Sequence, residues 1–452
     1  MKVLITSVLD EFGHVISVIR FGLVLKKRGH EVIFTHRKSF YELAKKFSLG
    51  FIEFDGDVFD GVKANPAAGI VGMLEEYFVL KPTEALEKFL ANGFFNATFL
   101  SKILPKTISR MNDALKRVLE QVSDVDMVVI DQSMYKLPVL FEKNIPHVDI
   151  FPMSPLLLYS DSFPPWLGLT RMASRESYLL CKNSMMKAFQ TLARSVKHLY
   201  NGCHLGNSND EEFGLDFHLK PKYLGFYQYP RELDYSNLEP IIGNYHRIDS
   251  LLFDSDYITG TFCIPEKFNR MPGKLIYFSM GTMMSSCQNI IGGILRTLSM
   301  SPNRFIVTSG GNKFDDSLID SYENIWCCKF VDQLAVLNQV DLIIFHGGNN
   351  TMMEALYLGL PMIIIPLVAD QLDNAQSVED KELGAKMFLW DFDSKKLLHL
   401  IEIVLTDEKI HRNVRKISSD MHQSKSADEA VDLIEDLYFR ILENRQIKSS
   451  SL

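Results

Sequence analysis

The chain has 452 residues, 46% of them apolar and 23% charged, with a formal net charge of −8. These are the proportions of a soluble globular protein of roughly two or three domains, and the acidic balance argues against a nucleic-acid surface, which is normally basic. Cys181, Cys203, Cys263, Cys287, Cys327 and Cys328 show no C-x-x-C spacing, which suits reduced thiols in the cytoplasm better than a disulfide framework or a zinc site.

Val3 to Thr6 reads as a core strand. No signal peptide precedes it and no apolar run reaches spanning length, so a cytoplasmic chain without a membrane anchor is expected. After a turn from Ser7 to Gly13, a helical pattern runs from His14 to Lys27, closed by Gly29 with basic residues in its last turn. Glu31 to His36 is the next strand. The βαβ unit predicts a parallel sheet and places His14 at a helix N-terminus by the sheet's carboxyl edge, where open α/β sheets bind ligands. Residues 54–99 are irregular and read as loops and short helices over a pocket. Ile103 to Glu120 reads as helix, Met127 to Ile130 as a strand ending at Asp131, and Pro146 to Ile150 as another strand. Residues 151–169 are rich in proline and aromatics and fit neither helix nor central strand. Ser174 to His198 reads as helix and Asp254 to Gly260 as a short closing strand.

Pro265, Pro272 and Gly273 mark a linker. Lys274 to Ser279 then opens a second sheet, followed by the turn Met280-Gly281-Thr282. Arg304 to Thr308, Ile325 to Phe330, Asp341 to Phe345 and Met362 to Pro366 continue it, with helices between. The pattern predicts an α/β fold of two doubly wound domains facing across a cleft. The expected bounds are 1–258, a linker 259–273, 274–425, and a final amphipathic helix within 426–452.

The most informative stretch is Phe330 to Ala375. A strand feeds the turn His346-Gly347-Gly348-Asn349-Asn350-Thr351, and a helix follows from Met352 to Leu358. Glycines allow close backbone approach, and free N–H groups at a helix N-terminus attract phosphate. Asn350, Thr351 and His346 offer further donors. Glu354, one turn on, suits a pair of sugar hydroxyls, as an acidic residue does with ribose in dinucleotide folds. Asp370 and Gln371 are planar polar groups suited to a polyol. Ordinary structural readings stand beside these: a core Phe330, a helix-capping Asp370–Gln371 pair, a turn-capping Asp131 and a structural His14. Asp-x-Asp pairs at 55/57, 124/126, 254/256 and 391/393 read as surface carboxylates, so no metal is expected.

The same pieces, in order and spacing, resemble the signature of the family 1 UDP-glycosyltransferases: Phe330 with Gln333, His346-x-Gly348-x-Asn350-Thr351-x-x-Glu354, Gly359-x-Pro361 and Asp370-Gln371-x-x-Asn374-Ala375. The resemblance implies the GT-B fold of two Rossmann-like domains, like the soluble bacterial and spider-mite members, with the last helix returning to the first domain. It implies stacking of uracil on Phe330 beside Val331, and contact with ribose or base by Gln333. The diphosphate would lie on the Ser279-x-Gly281-Thr282 turn and the His346 turn. Asn349 stands where plant members have tryptophan and bears on sugar choice, with Asp370 and Gln371. His14 would be the general base, kept neutral by its helix N-terminus, with Asp131 orienting it. The implied reaction is inverting transfer of glucose from UDP-glucose, a co-substrate rather than a cofactor, to a small lipophilic acceptor such as a flavonoid, phenol or xenobiotic, as in detoxification. Transfer from another nucleotide sugar to a lipid or antibiotic stays open, as does a non-catalytic binding protein on this scaffold.

Overall fold

A computed structural model describes residues 1–54, 58, 97–122, 124–133, 135–159, 168, 194–200, 220–235, 243–252, 262–281, 288–309, 322–367 and 369–450. In the first half, β1 (Lys2–Ser7), α1 (Phe12–Lys27) and β2 (Glu31–His36) form the expected βαβ unit. Then come α2 (Tyr41–Lys46), β3 (Gly50–Glu53), α3 (Ala97–Gln121), β4 (Met127–Asp131), α4 (Pro138–Glu142), β5 (His147–Phe151), β6 (Leu224–Gln228) and β7 (Tyr245–Ile248). The second half contains α5 (Glu266–Asn269), β8 (Leu275–Ser279), α6 (Gln288–Leu298), β9 (Arg304–Thr308), β10 (Ile325–Cys328), α7 (Gln333–Leu337), β11 (Leu342–Phe345) and α8 (Asn349–Tyr357). It continues with β12 (Met362–Ile364), α9 (Asp370–Asp380), β13 (Gly384–Lys386), α10 (Ser394–Thr406), α11 (Glu408–Gln423) and α12 (Ser426–Ser450).

The strands form two sheets, ordered β3-β2-β1-β4-β5-β6-β7 and β10-β9-β8-β11-β12-β13. The neighbours pair in parallel, as in β1 with β2 and β4, and β8 with β9 and β11. Parallel sheets are covered on both faces, so their strands are continuously apolar. Val3 and Ile5 pack with α1 on one face of the first sheet, while Leu4 packs with Ile108, Met111 and Leu115 of α3 on the other. Alternation along the strand sends neighbouring residues to opposite layers. Gly22 lets α1 lie close: a Cβ there would meet Ile5 Cδ1 at 2.5 Å.

The structure extends the sequence reading in three places. β3, β6, β7 and β13 were not expected. β3 and β13 are short edge strands, and β6 contains Gly225 between flanking prolines, which hides its strand character. α8 begins at Asn349 rather than Met352, and β10 stops at Cys328, leaving Phe330 in the following loop. The strand read at 254–260, most of the helix read at 174–198 and much of the loops read at 54–99 and 151–169 lie outside the described residues. Among the described residues no helix is long and apolar enough to cross a membrane.

Near the chain's end, Ala427, Ala430, Val431 and Ile434 of α12 are buried in the core that holds β1, β4 and α1. Ile434 is therefore a first-sheet core residue despite its position in the sequence. Ile434→Ala should destabilise that sheet by about 2–5 kcal/mol, read as an earlier denaturant midpoint and faster hydrogen exchange in β1 and β4 than in β8 and β11.

Candidate functional site

Each sheet has one point where its strand order reverses, between β1 and β4 in the first and between β8 and β11 in the second. A crevice opens there because the flanking connections leave in opposite directions. In the first half the crevice holds His14, in the first turn of α1, and Asp131, the last residue of β4. In the second half it holds the Ser279–Gly281 turn after β8 and the His346–Gly348 turn after β11.

His14 Nδ1 lies 2.6 Å from Asp131 Oδ2. Asp131 is fully buried, and its other oxygen accepts from the Ser133 backbone N–H at 3.1 Å and the Ser133 hydroxyl at 2.8 Å. Ser7 Oγ donates to Oδ2 at 3.3 Å. The carboxylate is thus fixed from several sides and fixes the ring in turn. Burial by itself pushes the imidazole down, but the charge and hydrogen bond of Asp131, helped by Glu11 and Asp370, raise it to about 9. This reverses the sequence expectation of a neutral ring. The helix N-terminus opposes protonation, but a fractional dipole is outweighed by a full charge in direct contact.

His346 is the opposite case. Burial lowers it to about 4, so it is a neutral donor and acceptor at pH 7. Its ring is walled by Gly281 and Gly348, where an added Cβ would stand 3.0 Å from Cε1 and 2.7 Å from Nε2 respectively. Gly281 also has φ of +69°, and Gly347 one of +91°, values that L side chains adopt only with strain. Behind this turn α8 starts at Asn349 with Gly348 as N-cap and no side-chain cap. Its first N–H groups therefore point unpartnered by any cap toward the cleft.

The side chains of α8 are engaged differently from the sequence reading. Asn350 Nδ2 donates to the Gly13 carbonyl at 2.8 Å, and its Oδ1 accepts from Ser17 Oγ at 3.0 Å and Arg20 Nη1 at 3.4 Å. Its amide faces the first half, so only its backbone N–H is left for an anion. Glu354 forms a buried ion pair with Arg20 through Oε1, and its Oε2 accepts from Gln333 Nε2 at 2.5 Å. Gln333 Nε2 also reaches Thr351 Oγ1 at 3.1 Å. Asn349 is buried, and its Nδ2 donates to the carbonyls of Pro152 and Gln228 at 3.2 and 3.3 Å. It joins the two halves rather than facing open space.

Asp370 Oδ2 accepts from the backbone N–H of Ser154 at 3.0 Å, again across the cleft. Burial raises Asp370 to about 6, partly offset by that hydrogen bond and by the charge of nearby His14. The preceding Ala369 has φ of +54°, strained for a non-glycine residue and placed where it aims the start of α9. Gln371 Oε1 accepts from the Leu367 backbone at 3.0 Å. Phe330 leaves 73% of its surface exposed, and Val331 packs on the core beneath it. Thr282 lies outside the described residues.

The sequence reading thus names His14, Asp131, Asp370 and the His346 turn, which the fold brings to one cleft. It missed Ser17 and Arg20. Their signal is two polar residues at helical spacing inside the apolar run from Val15 to Leu25. Of the Asp-x-Asp pairs that are described, Asp124 and Asp126 bond Lys2, Asp391 pairs with Lys396 and Asp393 caps α10.

Comparison with known proteins bears on the fold and on the second half of the chain. A family model, UDP-glucoronosyl and UDP-glucosyl transferase, matches residues 265–437, beyond both His14 and Asp131. UDP-glucuronosyltransferase 2B7 of Homo sapiens is 30% identical over 200 residues, covering 41% of this chain and 37% of that protein. The uncharacterised UDP-glucosyltransferase YdhE of Bacillus subtilis (strain 168) is 24% identical over 164 residues, 36% of this chain and 42% of its own length. The chain therefore matches less than half the length of these relatives. The glycotransferase of kitacinnamycin superposes with a TM-score of 0.66 at 15% identity, covering 97% of this chain and 99% of that one. Glycosyltransferase VinC, solved with dTDP, superposes with a TM-score of 0.65 at 14% identity, covering 97% and 100%. At such identity the superpositions speak for the fold.

The His14–Asp131 contact generates a direct test. Followed by NMR, His14 should titrate near 9. In Asp131→Asn, where burial is no longer outweighed, the midpoint should fall to the ordinary 6.5 or lower. An unchanged midpoint would show that Asp131 does not hold the proton on the ring.

Proposed function

From the premise that this chain is a family 1 glycosyltransferase of the GT-B fold, we propose that it is an inverting transferase, moving glucose from UDP-glucose to a hydroxyl of a small lipophilic acceptor. The observation that carries the reading is the facing of His14–Asp131 and the uncapped N-terminus of α8 across one cleft. Asp131 occupies Nδ1, which leaves Nε2 as the base. It takes the proton of the acceptor hydroxyl as that oxygen attacks the anomeric carbon. The bond to the diphosphate breaks, UDP leaves, and the configuration inverts. Asp131 stabilises the imidazolium formed.

The backbone N–H groups of Asn350 and Thr351, with Ser279, His346 and Gly281 lining the turn, suit the leaving diphosphate, and Thr282 is expected to join them. Exposed Phe330 beside Val331 suits stacking on uracil. Glu354 and Gln333 suit the ribose, and Asp370 and Gln371 the transferred sugar, with Asn349 shaping the floor. With these donors the reaction needs no metal. Phe12, 56% exposed two residues before the base, supports an apolar acceptor such as a phenol, flavonoid or xenobiotic.

A second reading is transfer from a dTDP-sugar, favoured by the likeness to VinC. A deoxyribose would leave Glu354 one hydroxyl short. Competition between UDP and dTDP separates the two: tighter UDP binding supports the first reading.

Incubation with UDP-glucose and a panel of phenols and flavonoids, with chelator present, should add one hexose by mass. His14→Ala should lower kcat by about 10²–10⁴-fold while UDP still binds. Undiminished transfer in that variant overturns the base assignment. Because the ring must be neutral to accept a proton, kcat/KM should rise with pH and level off above about 9. Phe330→Ala should weaken UDP binding by about 3–10-fold, the worth of one stacking contact.

A further inference from the structure

We propose that Arg20 is a positioning residue for transfer: from the helix that carries His14 it clamps Glu354 and Asn350 of the donor helix, and so sets the distance from base to donor. The inference rests on the transferase reading above.

Gly13, Ser17 and Arg20 follow the i, i+4, i+7 spacing of one helical face, and Asn350 and Glu354 are i, i+4 on α8. These two faces meet. The Gly13 carbonyl and Ser17 hydroxyl take both ends of the Asn350 amide, at 2.8 and 3.0 Å. Arg20 continues the row with Nη1 on Asn350 and Nη2 on Glu354. His14 follows Gly13 in the first turn of the same helix, on a neighbouring face turned to Asp131. One rigid helix therefore bears both the base and the attachment to α8.

Burial distinguishes this tie from an incidental one. Arg20 is 8% and Glu354 5% exposed. Two further ion pairs between the halves, Lys46 with Asp332 at 2.9 Å and Lys416 with Glu232 at 3.7 Å, have side chains 42% and 24%, and 66% and 30%, exposed, and such solvated pairs hold little. The planar guanidinium spans two acceptors at once, which a lysine ammonium does not match. Arg20 also leaves Glu354 usable. A carboxylate offers about four lone-pair positions, and Arg20 and Gln333 engage one oxygen each. The carboxylate is oriented for hydroxyl donors rather than blocked. A misplacement of about 1 Å costs a reaction of this kind about 10²-fold, so a clamp acting only on geometry should be felt in the chemical step.

The test compares the full chain with Arg20→Ala and Arg20→Lys, each checked for wild-type circular dichroism. Three quantities are read: kcat at saturating UDP-sugar and acceptor, UDP affinity by calorimetry, and radius of gyration by X-ray scattering without nucleotide. The clamp predicts a fall in kcat of about 30-fold or more for Arg20→Ala, UDP affinity within about threefold, and a larger radius of gyration. Arg20→Lys, keeping the charge, should recover part of each. Ser17→Ala, which removes one Asn350 bond, should show the same split more weakly and serves if Arg20→Ala does not fold. Unchanged kcat overturns the proposal, and so does tighter UDP binding at unchanged kcat, which would make Arg20 a competitor of the ribose. If the wild-type protein transfers no sugar, the transferase reading fails, and the scattering comparison alone then decides on the clamp: an unchanged radius of gyration overturns it.

Discussion

The constraint on which the rest depends is the reversal of strand order in each sheet. A parallel sheet wound in both directions must open a crevice where the winding changes, at the carboxyl ends of its strands. Here one reversal falls between β1 and β4 and the other between β8 and β11. The two crevices face each other, so groups far apart in sequence converge without any special local structure. His14 and Asp131 are 117 positions apart, yet Asp131 ends β4 and His14 lies in the first turn of the helix that follows the adjacent β1. Residues of α8 and α1 that touch are separated by more than 300 positions.

Helix termini add a second layer. Among the described helices, α7, α10 and α11 carry an aspartate N-cap whose side chain accepts from the first turn. α1, α8 and α9 carry none, and neither do the short α2, α4 and α5. α1, α8 and α9 begin at the cleft. An Asn, Asp or Ser cap stabilises a helix by about 1 kcal/mol, so the site forgoes stability at three places together. What it gains is N–H groups and positive dipole ends aimed at a common volume. The strained Ala369 before α9 belongs to the same pattern: local preference yields where the fold delivers polar groups to the cleft.

The legibility of the sequence follows from which signals are local. The βαβ order, the glycine turn at His346 and the Asp370-Gln371 helix start are written in contiguous residues, and the two-sheet fold follows from them. The family match at residues 265–437 covers the last two of these signals and not the first. What could not be read is set by contacts across the cleft. Nothing near Asn350 announces that its amide turns to Gly13, and nothing near Glu354 announces Arg20. The protonation of His14 is hidden for the same reason. The sequence shows the helix N-terminus beside it, but the carboxylate that reverses the balance arrives from β4. β6 and β7 escaped notice because a glycine-containing strand and a polar edge strand resemble loops when read without their neighbours.

The charges of the site divide binding from chemistry. Two cations at the cleft among the described residues are already paired, His14 with Asp131 and Arg20 with Glu354. His346 is held neutral by burial. A diphosphate entering the proposed site therefore meets no free counter-charge among these groups. Its charge falls instead on the N-terminus of α8, equivalent to about half an elementary charge, and on backbone N–H groups that never titrate. Diphosphate binding on this arrangement would be nearly indifferent to pH around neutrality, while Asp370 on the sugar side, raised to about 6, would titrate close to it. The proposed transfer step would not be indifferent, because it would wait on the fraction of His14 that is unprotonated. That fraction is about 1% two pH units below the midpoint. An apolar acceptor covering the ring would strengthen the desolvation that already opposes its charge. Acceptor binding would thus push His14 toward the neutral form that the reaction requires. In the proposed reaction the His14–Asp131 contact would keep the ring oriented and charged in the open site, and an acceptor seated on the exposed face of Phe12 would free the ring to act as base.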